Sequence, residues 1–217
     1  LIVRADREPS AGVSPFLGAM GLGGRAAIRL APDGSPARML AQIEASPSCA
    51  VVAANAVARV PLCAGSLISV RPEGGGVVVV AFDGATLSPV RVRSIGTTGE
   101  TLFTYEMAVR PAPIPRAIAD SVLRPLRDDA RYRAQVVAPR YYPPVRRVIA
   151  GADGSVWLEV HQASLAHEWL GIAPNGRPVG RVTVPAAVRL MQATVGKLWG
   201  VELDADDVPT IVRYRVE

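Results

Sequence analysis

The sequence predicts an all-β chain assembled from short antiparallel hairpins. Three observations carry that expectation. Turn-forming glycines recur at Asp153-Gly154, Asn175-Gly176 and Val195-Gly196. Each is flanked by short runs rich in Val, Ile, Leu and Trp, the composition of strands bounded by turn signals. Residues 155–160 also alternate, with Val156, Leu158 and Val160 on one face and Trp157 and Glu159 on the other.

Taken in order, segments 26–30 and 36–43 flank Pro32-Asp33-Gly34, and 67–70 and 77–82 flank the turn at 72–76. Segments 89–94 and 100–107 flank the turn at 96–99. Residues 115–137 break the pattern, because Ile118, Val122, Leu123 and Leu126 recur at helical spacing with Asp120, Asp128 and Asp129 on the polar side. A helical insertion is expected near 116–137, inside a segment 111–144 whose two ends are proline-rich connectors. Four strands follow at 145–150, 155–160, 168–173 and 178–184, then three more at 188–193, 197–203 and 209–216. The step from Gly154 to Gly196 is 42 residues, and that from Gly34 to Gly74 is 40. Such spacing falls in the range of about 40–50 residues typical of repeats with four strands each.

Composition narrows the function. The chain has 217 residues, 24 basic against 19 acidic, and a net charge of +5. All the basic residues but Lys197 are arginines, and they are scattered, whereas a nucleic-acid surface needs them clustered along a phosphate track. No run approaches the ~20 apolar residues of a membrane helix. The apolar stretch 49–60 is short and interrupted by Asn55 and Arg59. The chain opens on Leu1 without a leader pattern and reads as a piece of a longer protein. Cys49 and Cys63 either stay as buried thiols or close a disulfide worth about 3 kcal/mol for a loop of that length. With only His161 and His167 besides, they make no zinc signature. The glycines of 18–24 lack the strand–helix context of a dinucleotide loop and read as a connector. No serine lies in a nucleophile elbow, and the acidic loop 204–207 ends at Val208-Pro209, before a calcium loop is complete.

The strings Asp153-Gly154-Ser155-Val156-Trp157, Trp169 through Pro185, and Leu198-Trp199-Gly200-Val201 with Asp204 resemble the bacterial six-bladed β-propeller proteins of the NHL and TolB-like kind. The match is close over 139–217, looser over 65–110 and weak over 1–64. The resemblance implies a single, partial propeller domain over 1–217, with about three and a half four-stranded antiparallel blades of a ring of six. It implies a non-catalytic scaffold that binds a protein or small-molecule ligand outside the cytoplasm, periplasmic or secreted, with no cofactor. The alternative is a metal-dependent hydrolase or lactonase of similar fold, which needs acidic and Asn side chains converging on the channel. Asn55 and Asn175 are the asparagines present, and Asn175 is better explained as a turn residue. A two-sheet sandwich whose hairpins mimic blades is the remaining architecture.

The candidate binding residues are Tyr141, Tyr142, Arg146 and Arg147, at the entry to a first strand, and His161 and His167, which read as a loop beside Glu168. An aromatic-plus-arginine corner suits a binding surface. In a propeller the first strand borders the central channel. The alternatives are tyrosines packed beneath the helical insertion and solvated loop histidines. Trp157, Trp169 and Trp199 are expected to pack between neighbouring sheets in preference to lining a pocket.

Overall fold

The structure, a computed structural model, describes residues 2–6, 25–43, 49–53, 56–82, 87–161 and 166–216. It is mostly β. Strands β1 (Ile2–Asp6), β2 (Arg25–Leu30) and β3 (Pro36–Ile43) form a first antiparallel sheet. A separate hairpin pairs β4 (Ala50–Ala53) with β5 (Ala56–Arg59). The second sheet runs β6 (Leu67–Val70), β7 (Val77–Phe82), β8 (Val90–Ile95), β9 (Thr101–Met107). Helix α1 (Arg116–Asp128) intervenes. The third sheet runs β10 (Val145–Ala150), β11 (Val156–Val160), β12 (His167–Ile172), β13 (Pro178–Val184). The fourth is β14 (Val188–Thr194), β15 (Lys197–Leu203), β16 (Pro209–Arg215). Within every sheet, strands neighbour in sequence order, and among the described residues no sheet closes on itself.

The hairpins form because their turns carry matching chemistry. In Asp33-Gly34-Ser35, Asp153-Gly154-Ser155 and Asn175-Gly176-Arg177, the first side chain accepts the backbone N–H two residues on, at 2.9–3.0 Å. The central residue then takes positive φ, +89° at Gly154, where a Cβ would be strained. Asp153 does more than turn its own hairpin. Its second oxygen accepts the Val195 N–H at 2.7 Å, tying the third sheet's turn to the fourth's.

The sheets stack in series. The first and second share a core of Ala27, Leu40 and Ile43 against Val77, Val79 and Ile95. The second and third share Val78, Val80, Val90 and Val92 against Val156, Leu158, Leu170 and Ile172. The third and fourth share Trp157 and Trp169 against Val188, Leu190 and Leu198. The middle sheets are thus covered on both faces, which a two-sheet sandwich does not allow. Their first strands converge, β10 lying beside β6 on one flank and β14 on the other. Ala150 N donates to Ser69 Oγ at 3.3 Å across the first of these junctions. Strand alternation explains the arrangement, since Val156 and Leu158 face back to the second sheet and Trp157 and Glu159 face forward to the fourth, as the sequence predicts.

Two features depart from the sequence reading. The helix stops at Asp128, well short of 137. The Asp129 carboxylate accepts the Arg131 N–H at 2.9 Å and starts a tight turn, which competes with further helix. The apolar stretch 49–60 is the β4–β5 hairpin, and Cys49 and Cys63 are joined by a disulfide across its base. Val51 and Val60 of this region pack on Leu123 of α1 and on Tyr132, so the insertion builds a small satellite core with an earlier segment. The connector expected at 18–24 lies outside the described residues. Among the described residues no helix is long and apolar enough to cross a membrane.

Candidate functional site

Where β10 meets β14, a cleft of about 360 Å3 opens between the third and fourth sheets. It is lined by Arg146 and Arg147 of β10, Glu159 of β11, His167 of β12, Ala186 and Ala187 of the connecting loop, and Val188 and Arg189 of β14. Pairing places these side chains together. The β10–β11 turn sets Arg147 opposite Glu159, and the β11–β12 register sets Glu159 opposite Trp169.

Glu159 is the centre of the cluster. Its side chain is 3% exposed. Oε1 is paired with His167 Nδ1 at 2.8 Å and lies 3.7 Å from Arg146 Nη1. Oε2 lies 3.7 Å from Arg147 Nη1 and makes no hydrogen bond among the described residues. Arg147 is held rigidly, its Nη2 donating to the Leu190 carbonyl at 2.7 Å and its guanidinium lying over the Trp169 ring, 5.5 Å from the centroid. Burial draws Arg147 below its ordinary pKa, Glu159 pulls it back up, and Arg189 and Arg146 add to the depression. A guanidinium so placed still keeps its charge.

Comparison of equivalent rows shows how unusual this carboxylate is. On the forward face of the second sheet the row reads Leu67, Val80, Val92, Tyr105. In the third it reads Arg147, Glu159, Trp169, Val182. In the fourth it reads Arg189, Val201, Ile211. The scaffold therefore accepts valine at the Glu159 position on both sides. Burying an ion pair where an apolar pair fits gives little or no stability. A buried carboxylate among charged partners in a cleft is a candidate functional site.

Of the sequence-predicted residues, the structure brings Arg146, Arg147 and His167 into this cleft. His167 stands on β12, not in a loop as expected, and strand pairing is what fixes it on Glu159. Tyr142 and His161 are not among the residues lining the cleft and pair with each other, their rings stacked at 4.1 Å and 19°. The His161 N–H donates to the Pro144 carbonyl at 3.0 Å, tying the end of β11 to the entry of β10. Tyr141 stands apart, half-exposed and bridged to Pro113. Neither tyrosine belongs to the core beneath the helix, which uses Tyr132. Trp157 and Trp169 are buried between sheets as expected, and Trp199 is half-buried on the fourth sheet's outer face. The sequence reading missed Glu159 and Arg189 as site residues. The signal was there for Glu159, since a hairpin turning at Gly151–Gly154 pairs residue 147 with 159. Among the described residues no group of three or more His, Cys, Asp or Glu is placed to hold a metal ion.

His161 is held below its ordinary pKa of 6.5, first by burial and then by the Arg146 charge. The unfolded chain therefore takes up a proton that folded His161 resists. The stability contributed by keeping His161 neutral is fully present above pH 6.5 and is lost as pH falls below it toward the folded-state pKa. Urea midpoints measured on either side of that pH are expected to slope less in His161→Gln than in the wild type. Equal slopes would remove His161 as the cause.

No protein-family model and no curated protein matches the sequence. Among solved structures, the chain is similar to a protein of unknown function from Bacteroides caccae, at 16% sequence identity and a TM-score of 0.36. The similarity covers 88% of this chain and 54% of that one, so the chain spans about half that protein's length.

Proposed function

We propose that this chain is a non-catalytic binding scaffold built of propeller blades, NHL- or TolB-like in form, with its ligand seat in the cleft around Glu159. The serial stacking of sheets and the convergence of β6, β10 and β14 support the blade reading. So does the 42-residue register that carries Arg147, Trp157 and Trp169 onto Arg189, Trp199 and Ile211. The earlier three are covered by a following sheet, while Ile211 is 80% exposed. The Cys49–Cys63 disulfide favours an oxidising compartment, periplasmic or secreted.

The observation that carries the binding role is the buried Glu159, held by His167 and two arginines where both neighbouring sheets place valine. Among the described residues, those lining the cleft include no serine, cysteine or lysine that would serve as a nucleophile, which favours binding over covalent chemistry. A fragment set of mixed charge, followed by NMR on the whole chain, tests the seat. Ligands are expected to shift resonances of Arg146, Glu159 and His167 and to be recovered unchanged. Shifts confined to other surfaces would sink the assignment, and turnover of a fragment would sink the non-catalytic reading.

A further inference from the structure

The cleft carries more positive than negative charge. Arg146, Arg147 and Arg189 stand against the single carboxylate of Glu159. The three guanidiniums are not equivalent. Arg147 is committed to the Leu190 carbonyl and the Trp169 face, and forms a fixed positive wall. The Arg146 side chain is 54% exposed and touches Glu159 only at 3.7 Å, which leaves its planar fork available. Arg189 lines the cleft from β14, its residue exposed and its charge near enough to Arg147 to lower that guanidinium's pKa. Two guanidiniums at the lining of one cleft suit a planar monoanion. A cation would meet the guanidiniums, and a dianion would meet Glu159 at close range.

Glu159 adds the second requirement. His167 fixes its Oε1, whereas Oε2 is buried and makes no hydrogen bond among the described residues. A buried acceptor left without a donor is costly, and a ligand that brings a donor relieves it. The remaining wall, Ala186, Ala187 and Val188, is small and apolar, and the cleft's size lies near the lower end for small-molecule sites.

We propose that this cleft binds a small carboxylate carrying a hydrogen-bond donor next to its charged group, a hydroxy or amino acid. The carboxylate lies on Arg146 and Arg189, and the hydroxyl or ammonium donates to Glu159. The proposal rests on the reading of the cleft as the ligand seat.

The test is an NMR titration of the 217-residue chain with L-lactate, L-alanine, propionate, L-lactamide and ethanolamine, read at the Arg146, Glu159 and His167 resonances. Lactate or alanine is expected to bind roughly tenfold or more tightly than propionate, because a site built for a donor rejects the analogue lacking it. Whichever of the two binds tighter distinguishes hydroxyl from ammonium. Arg146→Ala is expected to weaken all carboxylates, and Glu159→Gln to narrow the gap between lactate and propionate. Arg181→Ala, on the edge strand β13 and paired with Glu168, is expected to change neither. Propionate binding as tightly as lactate and alanine overturns the proposal. Lactamide or ethanolamine shifting the cleft resonances while carboxylates do not overturns the ligand class and leaves the cleft as a seat. If none of the five compounds shifts those resonances, the class and the seat both fall.

Discussion

Trp157→Ala is expected to lower the unfolding free energy by about 3–5 kcal/mol, the range for removing a large aromatic from a packed interior. Trp157 is fully buried, donates through Nε1 to Ser155 Oγ at 3.1 Å, and lies in the core that joins the third sheet to the fourth. Its ring covers the strand beside it so closely that a Cβ on Gly171 would come within 2.9 Å. Its neighbours in that core, Trp169, Val188, Leu190 and Leu198, are themselves buried, so truncation leaves a cavity in a packed interior. Trp199→Ala, at the equivalent position one repeat later but half-exposed, is expected to cost clearly less. Urea unfolding of the two variants checks the contrast. Similar losses would mean that the third–fourth sheet interface is not the tight junction described.

Glu159→Val is expected to destabilise by about 1–3 kcal/mol, although valine fits the site. Val80 and Val201 occupy the equivalent positions in the flanking sheets, so the loss does not come from shape. It comes from Arg147, left half-buried without its counter-charge, and from the His167 Nδ1, left without its partner. Arg147 keeps 36% of its side chain exposed, which moderates the penalty. Denaturant midpoints at neutral pH measure it, and a neutral or stabilising result would show that Arg147 is satisfied without the carboxylate.

Much of the fold is legible in the sequence because hairpins are local. Asp153-Gly154-Ser155 and Asn175-Gly176 specify their turns by side-chain capping and positive φ, and alternation at Val156 to Glu159 assigns each face. What was hidden is what depends on distant segments. The β4–β5 hairpin reads only as an apolar stretch, since its strands are short and its support comes from Leu123 and Tyr132, more than sixty positions away. The helix end at Asp128 turns on whether Asp129 caps a turn, which helical spacing does not reveal. The arginine corner at 146–147 was visible as a binding candidate. Its centre was not, because a glutamate on an alternating strand reads as solvated until another sheet covers it, as the fourth sheet covers Glu159.

Arg147 and Glu159 stand where the second sheet packs an apolar pair, and the proposed role keeps them there for a ligand. The double variant Arg147→Leu/Glu159→Val installs in the third sheet the pair that the second sheet has at Leu67 and Val80. Its unfolding free energy in urea, measured beside the wild type and Glu159→Val, is the most direct test. Stability equal to or above wild type, recovering the loss of the single variant, is the predicted result. A double variant as unstable as Glu159→Val alone would show that the ion pair holds the sheets together, and would contradict the claim.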